Sequence, residues 1–382
     1  MSLILPILLI LITFLGLAAI VDNFLVPAVY SLRKVFGWTD DQMGTVISFV
    51  SSAPELSVSA VSLFLAATTG NADSGSMGPG TVIGSALFSI LFIVGASSWF
   101  TTKKLSWAAI IRDMVFYILA VIAVYIVVLD QTIVWWEPII LLGLFGIYSL
   151  IVTKWKNILT WLDANVSAKI VDEDAEIAKI LAKELEIKEE EKLHIRQEKW
   201  TLGNSLSKVL SYLYFVLSAN SNIWKVVWNI ALSIAFVVFF STLMVDNAVI
   251  FAKQLNISPV IISLTILAAG TSIPDLLASL KTAREGFGDT AIANAVGSNI
   301  FDVLANLGLT WGIGILITGK ALAVDTNNLN SSIILLLAAT VSLVLVMIAK
   351  KFHLGKVVSV ILMFSYVLYV AYEIAKASGI IK

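Results

Sequence analysis

The sequence contains no cysteine and only two histidines, His194 and His353. Disulfide bridges and thiolate metal sites are therefore excluded, and imidazole metal clusters are not expected. Charged residues are also scarce, at 13% of the chain, whereas a typical soluble domain has about 25%. Hydrophobic residues make up 59% and the net charge is close to zero. This composition predicts a membrane protein and gives no sign of nucleic-acid binding.

Ten apolar stretches are each long enough to cross a bilayer as a helix, which takes about 20 residues. They do not alternate in polarity, which favours helices over barrel strands. The predicted spans are about 3–32, 42–68, 79–100, 106–129, 134–154, 223–252, 259–280, 290–318, 329–349 and 354–378. We therefore predict an all-α polytopic protein with a first membrane part over 1–154, a cytoplasmic helical loop over 155–222 and a second membrane part over 223–382.

The distribution of Lys and Arg predicts the orientation, because cytoplasmic loops are enriched in basic residues. With the N-terminus outside, the inner short loops and span ends hold Arg33, Lys34, Lys103, Lys104, Arg112, Lys281, Arg284, Lys350, Lys351 and Lys356. The outer ones hold only Lys253, Lys320, Lys376 and Lys382. We expect a plasma-membrane protein with both termini outside and the central loop in the cytoplasm.

The central loop contains a charged segment from Asp172 to Lys199 with apolar residues at helical spacing. This pattern predicts an amphipathic, mostly solvated helix. A regulatory calcium site at Asp172, Glu173 and Asp174 is an alternative interpretation of this segment. The segment lacks the central glycine of an EF-hand, which favours the plain charged helix.

The two membrane parts share three motifs in the same order. Val21-Asp22-Asn23 recurs as Val245-Asp246-Asn247, residues 51–55 (SSAPE) as 271–275 (TSIPD), and residues 82–89 (VIGSALFS) as 295–302 (AVGSNIFD). The offsets are 224, 220 and 213 residues, and we ascribe the last drop to a loop rich in Gly and Ser from Thr68 to Gly80. Five spans per repeat is an odd number, so the second repeat enters the membrane from the opposite side. Inverted repeats are typical of secondary transporters, whose substrate site lies at the midplane where the repeats meet.

Three carboxylates, Glu55, Asp275 and Asp302, lie in otherwise apolar spans. An ionised carboxylate in the bilayer costs at least about 2.5–3.5 kcal/mol, so such residues are rare and usually functional. Pro54 and Pro274 precede two of them, and each proline deprives the carbonyl four residues back of its helical donor. We therefore predict two broken helices at the midplane.

The predicted cation ligands are these carboxylates with nearby neutral oxygens. The carbonyls of Val50 and Gly270 and the hydroxyls of Ser51, Ser52, Thr271 and Ser272 surround the prolines. Calcium takes about 6–8 oxygen ligands, and sodium accepts similar ones. Ser85, Ser89 and Ser298 extend the predicted set, because each serine lies on the same helix face as a polar residue one turn away. For Asp22 and Asp246, an access-path role and a structural role stay equally open.

At these motifs the sequence resembles the cation/calcium exchanger superfamily, and most closely the potassium-dependent sodium/calcium exchangers. The residues that carry the resemblance are 52–56 (SAPEL), 268–276 (AAGTSIPDL) and 296–302 (VGSNIFD). The resemblance implies that Glu55 and Asp275 bind calcium, that neighbouring hydroxyls bind sodium, and that an acid at Asp302 is associated with potassium dependence. It also implies alternating access, with the first and sixth spans sliding as a gate.

The predicted function is antiport of calcium against sodium, with potassium co-transport. Proton/calcium antiport on the same fold is the alternative, because site carboxylates could carry protons. Paired buried acids in inverted repeats argue against a passive channel, and the lack of a nucleophile–base pair argues against an enzyme. No cofactor is expected. The expected partners are the calcium, sodium and potassium ions and the lipid bilayer, with a monomer as the assembly.

Overall fold

The protein is described here from a computed structural model covering residues 4–36, 46, 49–69, 72–101, 107–155, 208–215, 217, 222–284, 286, 288–324 and 329–377. Within these ranges, eight helices are long and apolar enough to cross a membrane, or nine if one bent pair is counted as a span. The chain is therefore an α-helical, multi-pass membrane protein. The helix predicted from Asp172 to Lys199, with the acidic triplet at its start, lies outside the described residues.

The described residues of the first membrane part include five long helices. They are α1 (Ile4–Ser31), α2 (Ala53–Thr69), α3 (72–100), α4 (Trp107–Val128) and α5 (Trp136–Thr153), and a single turn, Arg33–Phe36, follows α1. A two-residue strand, β1 (Thr132–Ile133), joins α4 to α5. Helices α1, α4 and α5 follow the predicted spans closely. Helix α3 begins at Ala72, earlier than predicted, and α2 begins at Ala53, whereas the predicted second span starts at 42; of residues 42–52 the structure describes 46 and 49–52.

The described residues of the second membrane part form six helices. They are α6 (Ile223–Leu255), α7 (Pro259–Thr271), α8 (Ile273–Arg284), α9 (288–318), α10 (Leu329–Ala349) and α11 (Lys356–Ala377). Strand β2 (Leu322–Ala323) follows α9 and pairs antiparallel with β1. This pairing places the α4–α5 and α9–α10 connections on the same side of the molecule.

Local sequence explains where several of these helices begin and end. The Asn222 side chain accepts a hydrogen bond from the Trp224 amide at the start of α6, and Asn256 ends that helix in the left-handed conformation. Ser258 caps α7 ahead of Pro259, and Gly319 ends α9 at φ +65°. Polar N-caps, proline at the first helical position and left-handed residues just past a helix end are standard signals.

Four of the membrane helices contain a widened π-helical turn. These turns are Val21–Leu25 in α1, Phe88–Ile93 in α3, Ser263–Leu267 in α7 and Phe301–Asn306 in α9. Three of them contain a polar motif residue, namely Asp22, Ser89 and Asp302. Isolated π turns occur frequently at functional sites, because the extra residue re-aims the side chains around it.

The Gly- and Ser-rich loop predicted from Thr68 to Gly80 is largely helix in the structure. Helix α3 begins at Ala72, and residues up to Leu87 are helical. A Cβ on Gly78 would lie 2.9 Å from the Ser59 Cα, so the missing side chain lets α3 pack directly on α2. Close packing of small residues therefore overrides their weak helix propensity, as is common between membrane helices.

The buried apolar residues form two clusters. One lies between α1, α2 and α6, and the other fills the space between α3, α4, α9, α10 and α11. Helices α1 and α6 cross where a Cβ on Gly16 would lie 2.8 Å from the Phe240 ring. The polar motif residues of α2, α3, α7 and α9 lie among these helices, buried from solvent.

Candidate cation site

Matching serines lie in two turns that each precede a helix. Ser52 forms a turn immediately before α2, and Ser272 forms a turn between α7 and α8, whose axes differ by 43°. Each serine lies two residues before a proline, and a proline cannot supply the amide hydrogen that a regular helix needs there. These turns place the serines in the protein interior, where Ser52 and Ser272 are at most 1% exposed.

The carboxylate of Glu55, in the first turn of α2, faces hydroxyl groups of the second membrane part. Its side chain is 2% exposed. The Ser272 hydroxyl lies 3.5 Å from Glu55 Oε1, at the outer limit of a hydrogen bond, and the Thr271 hydroxyl lies beside the same carboxylate. Ser272 also forms a 2.7 Å hydrogen bond with Ser85 of α3. Glu55 thus faces hydroxyls of the α7–α8 break, one of which is also bonded to α3.

The carboxylate of Asp302 lies in the π turn of α9, beside Ser52 and Asn306. It is 2% exposed. Within the described part of the chain, Asp302 Oδ1, the Ser52 hydroxyl and both amide atoms of Asn306 are buried and form no hydrogen bond of regular geometry, although Ser52 and Asn306 lie close enough to the Asp302 carboxylate to interact with it. Buried polar groups normally have partners, so a cluster of unsatisfied oxygens beside a carboxylate has the chemistry of a cation site.

The third carboxylate, Asp275 in the first turn of α8, is less buried than the other two. It is partly exposed, the Ser298 hydroxyl of α9 lies beside it, and Asp22 on an exposed part of α1 is close enough to act on its charge. Glu55 lies close enough to Asp302 and Asp275 for like charges to repel. The site therefore concentrates negative charge and is most accessible from the side of Asp275 and Asp22.

The remaining predicted ligands occupy varied positions. Val50 is buried in the apolar cluster of α1 and α6, and the Ser51 side chain is partly buried. Ser89, in the π turn of α3, is 1% exposed, and its hydroxyl has no hydrogen-bond partner among the described residues. Over those same residues, no three acidic, imidazole or thiol side chains converge into a metal cluster. Hydroxyls and carbonyls would therefore have to complete the coordination of a bound ion.

Gly270, just before the α7–α8 break, is in close contact with α1. A Cβ at this position would lie 1.9 Å from Cζ of Phe14. Its repeat counterpart is Val50, which already carries a branched side chain. The contact between α1 and the break is therefore specific to the second motif, and the glycine permits it.

We expect Gly270→Ala to lower both transport and the free energy of unfolding. The cost should be about 1–3 kcal/mol, as for other overpacked sites, because the Phe14 ring can partly move away. The double variant Gly270→Ala/Phe14→Leu should recover most of the lost stability in a thermal melt. If the double variant stays as unstable as Gly270→Ala, the contact with Phe14 is not the reason for a glycine at this position.

Sequence reasoning missed three polar residues around Asp302. Asn306 lies one turn after Asp302, and Tyr117 of α4 lies close to both Asp302 and Asn299. The Asn299 amide also reaches the Ala86 carbonyl at 3.4 Å. The sequence indicates only that Asn306 and Tyr117 are polar residues within apolar spans. Nothing in the sequence places them beside a carboxylate.

Comparison with known proteins connects this geometry to a family. The family described as "Sodium/calcium exchanger protein" matches residues 6–154 and 225–375, well over half of the chain. The chain belongs to this exchanger family. It is therefore a membrane transporter and not an enzyme, which confirms the family resemblance seen in the motifs.

Relatives of this exchanger include several sodium/potassium/calcium exchangers. The chain is 25% identical to the mouse protein "Sodium/potassium/calcium exchanger 4", over 94% of this chain and 79% of the relative. It is 27% identical to the human protein "Sodium/potassium/calcium exchanger 5", over 85% of this chain and 75% of the relative. The similarity thus extends over both membrane parts.

Solved structures with the same fold include two kinds of exchanger. The crystal structure of the H+/Ca2+ exchanger CAX superposes with a TM-score of 0.61 at 12% identity, covering 99% of this chain and 90% of that one. A structure of the sodium-calcium exchanger NCX_Mj superposes with a TM-score of 0.52 at 20% identity, covering 97% and 99%. At these identities the likeness concerns the fold and does not decide which ions this exchanger carries.

Proposed function

We propose that this protein is a sodium-driven calcium antiporter that also transports potassium, working by alternating access at the buried carboxylates. The observation that carries the proposal is the meeting of Glu55 with the α7–α8 break. A carboxylate of the first membrane part there faces the Thr271 and Ser272 hydroxyls of the second part. A site built from both parts changes its accessibility when the parts move against each other.

Two contacts support the inverted-repeat arrangement of ten spans. At the motif offset of 224 residues, Gly16 and Phe240 are counterparts, and they touch where α1 crosses α6. At the offset of 213 residues, Ala86 and Asn299 are counterparts, and they are joined by a 3.4 Å hydrogen bond. Residues related by a two-fold axis touch their own counterparts only on the axis. In this arrangement α2 is the second span and the bent pair α7–α8 is the seventh.

The charge of the site supports exchange between calcium and sodium. Glu55 and Asp275 carry two negative charges, with the hydroxyls of Ser272 and Ser298 beside them. One divalent ion neutralises this pair, and so do two monovalent ions. The same oxygens bind either calcium or sodium, so the two kinds of ion exclude each other. If the site changes its side of access only when it is filled, the fluxes of calcium and sodium in opposite directions are coupled.

Contacts at one end of the bundle support the predicted orientation. Arg284 lies over the Phe100 ring at 4.8 Å, Lys356 over Trp99 at 5.4 Å, and Arg112 over Trp155 at 4.9 Å. Basic and aromatic residues together are typical of a membrane interface, and the basic ones of its cytoplasmic side. We infer a plasma-membrane protein with this end in the cytoplasm.

Sodium is favoured over protons as the driving ion. The relatives matched over 85% or more of this chain are sodium/potassium/calcium exchangers by name. The H+/Ca2+ exchanger is only 12% identical, although its fold superposes well. The shell of serine and threonine hydroxyls is also suited to sodium, which is bound through oxygen dipoles.

The experiment that tests the proposal is radioactive calcium uptake into proteoliposomes loaded with sodium. The vesicles are diluted into sodium-free buffer with or without external potassium. We expect uptake that requires internal sodium and rises with potassium. Uptake that ignores sodium but follows an imposed proton gradient would favour the proton antiporter instead, and sodium-driven uptake indifferent to potassium would remove potassium from the proposal.

A further inference from the structure

Asn306 is the most deeply buried unsatisfied side chain near the carboxylates. Its exposed fraction is 0%, and neither its amide oxygen nor its amide nitrogen has a hydrogen-bond partner among the described residues. Leaving a buried amide unpaired is costly, so native proteins rarely retain one without a ligand, water or ion to complete it. Asn306 was not among the ligands predicted from the sequence motifs.

The backbone holds Asn306 on the same side of α9 as Asp302. Both residues lie in the π turn Phe301–Asn306, where the Leu307 amide bonds to the Asp302 carbonyl. Residues four apart on a helix are neighbours on its surface. Asn306 lies beside the Asp302 carboxylate, and so does the Ser52 hydroxyl from the other membrane part.

We propose that Asn306 is a ligand and specificity-determining residue for a monovalent alkali cation bound at Asp302. The Asn306 amide oxygen, Asp302 Oδ1 and the Ser52 hydroxyl are all buried, and they form no hydrogen bond of regular geometry in the described part of the chain, although Asn306 and Ser52 lie beside the Asp302 carboxylate. This set offers one negative charge and two neutral dipoles, which matches the single charge of potassium or sodium. A calcium ion needs a second carboxylate to balance its charge, and Glu55 or Asp275 would supply it.

The asymmetry of the repeats makes this a distinct subsite. At the offset of 213 residues, the counterpart of Asn306 is Ile93, and that of Asp302 is Ser89. The corresponding place in α3 therefore carries neither charge nor amide. A monovalent cation coordinated by Asn306 would bind on the α9 side only, which separates its site from the pseudo-symmetric pair Glu55 and Asp275.

The test compares Asn306→Leu with Thr310→Val, and it rests on the proposed calcium exchange. Thr310 lies one turn further along α9, and its hydroxyl donates to the Asn306 carbonyl at 2.8 Å, so its loss removes a polar group outside the subsite. Calcium uptake is measured in proteoliposomes while potassium is varied at fixed sodium, and then sodium at fixed potassium. Asn306→Ser, which keeps one oxygen, replaces the leucine variant if that variant does not fold.

We expect Asn306→Leu to raise the half-saturating concentration of one monovalent ion by about tenfold to a hundredfold, the usual effect of losing one polar contact to a charged group. The half-saturating calcium concentration should stay within about twofold, and Thr310→Val should change neither. A shift for potassium alone identifies potassium as the ligand, and a shift for sodium alone identifies sodium. Unchanged monovalent curves, or an equal shift for calcium, would overturn the proposal.

A binding measurement separates this proposal from the proposed function. If the wild-type protein shows no sodium-driven calcium uptake, the proposed function fails, yet an ion bound at Asn306 still stabilises the purified protein. Potassium or sodium chloride should then raise the melting temperature of the wild type and of Thr310→Val, compared with choline chloride. The rise should be absent in Asn306→Leu. Equal rises in all three proteins, or none in the wild type, would overturn the assignment of Asn306.

Discussion

Glu55→Gln should abolish calcium exchange while leaving the protein folded. The substitution keeps the size of the side chain but removes one of the two charges that oppose a divalent ion. Removing one member of a buried charge pair costs about 3–5 kcal/mol, which corresponds to a loss of roughly a hundredfold or more in calcium affinity. The measurement is calcium uptake into sodium-loaded proteoliposomes, together with a thermal melt of the purified protein.

Glu137→Gln provides the matched control for this substitution. Glu137 is also a buried acid, 5% exposed, but it lies at the start of α5 and accepts a hydrogen bond from the Val134 amide at 2.8 Å. A glutamine oxygen can accept the same bond, so transport should persist. Calcium uptake that survives Glu55→Gln, or that is lost equally in Glu137→Gln, would remove Glu55 from the calcium site.

Gly84→Ala should prevent stable folding. A Cβ on Gly84 of α3 would lie 2.2 Å from the carbonyl oxygen of Leu264 and 2.6 Å from the Ala268 Cβ. These atoms belong to the backbone and the short side chains of α7, which cannot rotate away as a ring such as Phe14 can. Overpacking that has to displace a helix should cost about 3 kcal/mol or more, at the upper end of such substitutions. A thermal melt and the yield of monodisperse protein measure the effect.

The repeat supplies the control, because Gly297 is the counterpart of Gly84. No described atom lies within 4 Å of a Cβ built on Gly297. Gly297→Ala should therefore fold at least as stably as the wild type, since alanine is the better helix former by about 1 kcal/mol. Equal destabilisation by both substitutions would contradict the packing of α3 on α7 described here.

The sequence was sufficient to predict the membrane class, the positions of most helices and the family. Long apolar runs without alternating polarity form helices in lipid, and the paired motifs around Pro54 and Pro274 are specific to the exchangers. The predicted start of α3 was wrong. The Gly- and Ser-rich residues near Gly78 have weak helix propensity, so the sequence pattern indicates a loop there. Their helix depends on close packing against Ser59 of α2, which no local pattern reveals.

The candidate site was only partly accessible to sequence reasoning. Carboxylates in apolar spans stand out, so Glu55, Asp275 and Asp302 were readily proposed. Their partners depend on which helices meet: Glu55 faces Ser272, and Asp302 faces Ser52, each across the two membrane parts. Asp302 and Asn306 lie in one π turn, Phe301–Asn306, which no local sequence pattern predicts. A lone asparagine in an apolar span gives no sign of its neighbour.

We propose that one buried site binds either calcium or sodium. This proposal is tested most directly by equilibrium binding of radioactive calcium to the purified protein as sodium chloride is raised at constant ionic strength with choline chloride. We expect sodium to displace calcium completely and with a sigmoidal dependence, since two monovalent charges replace one divalent ion. Calcium binding that is indifferent to sodium, while choline and sodium act alike, would contradict a shared site.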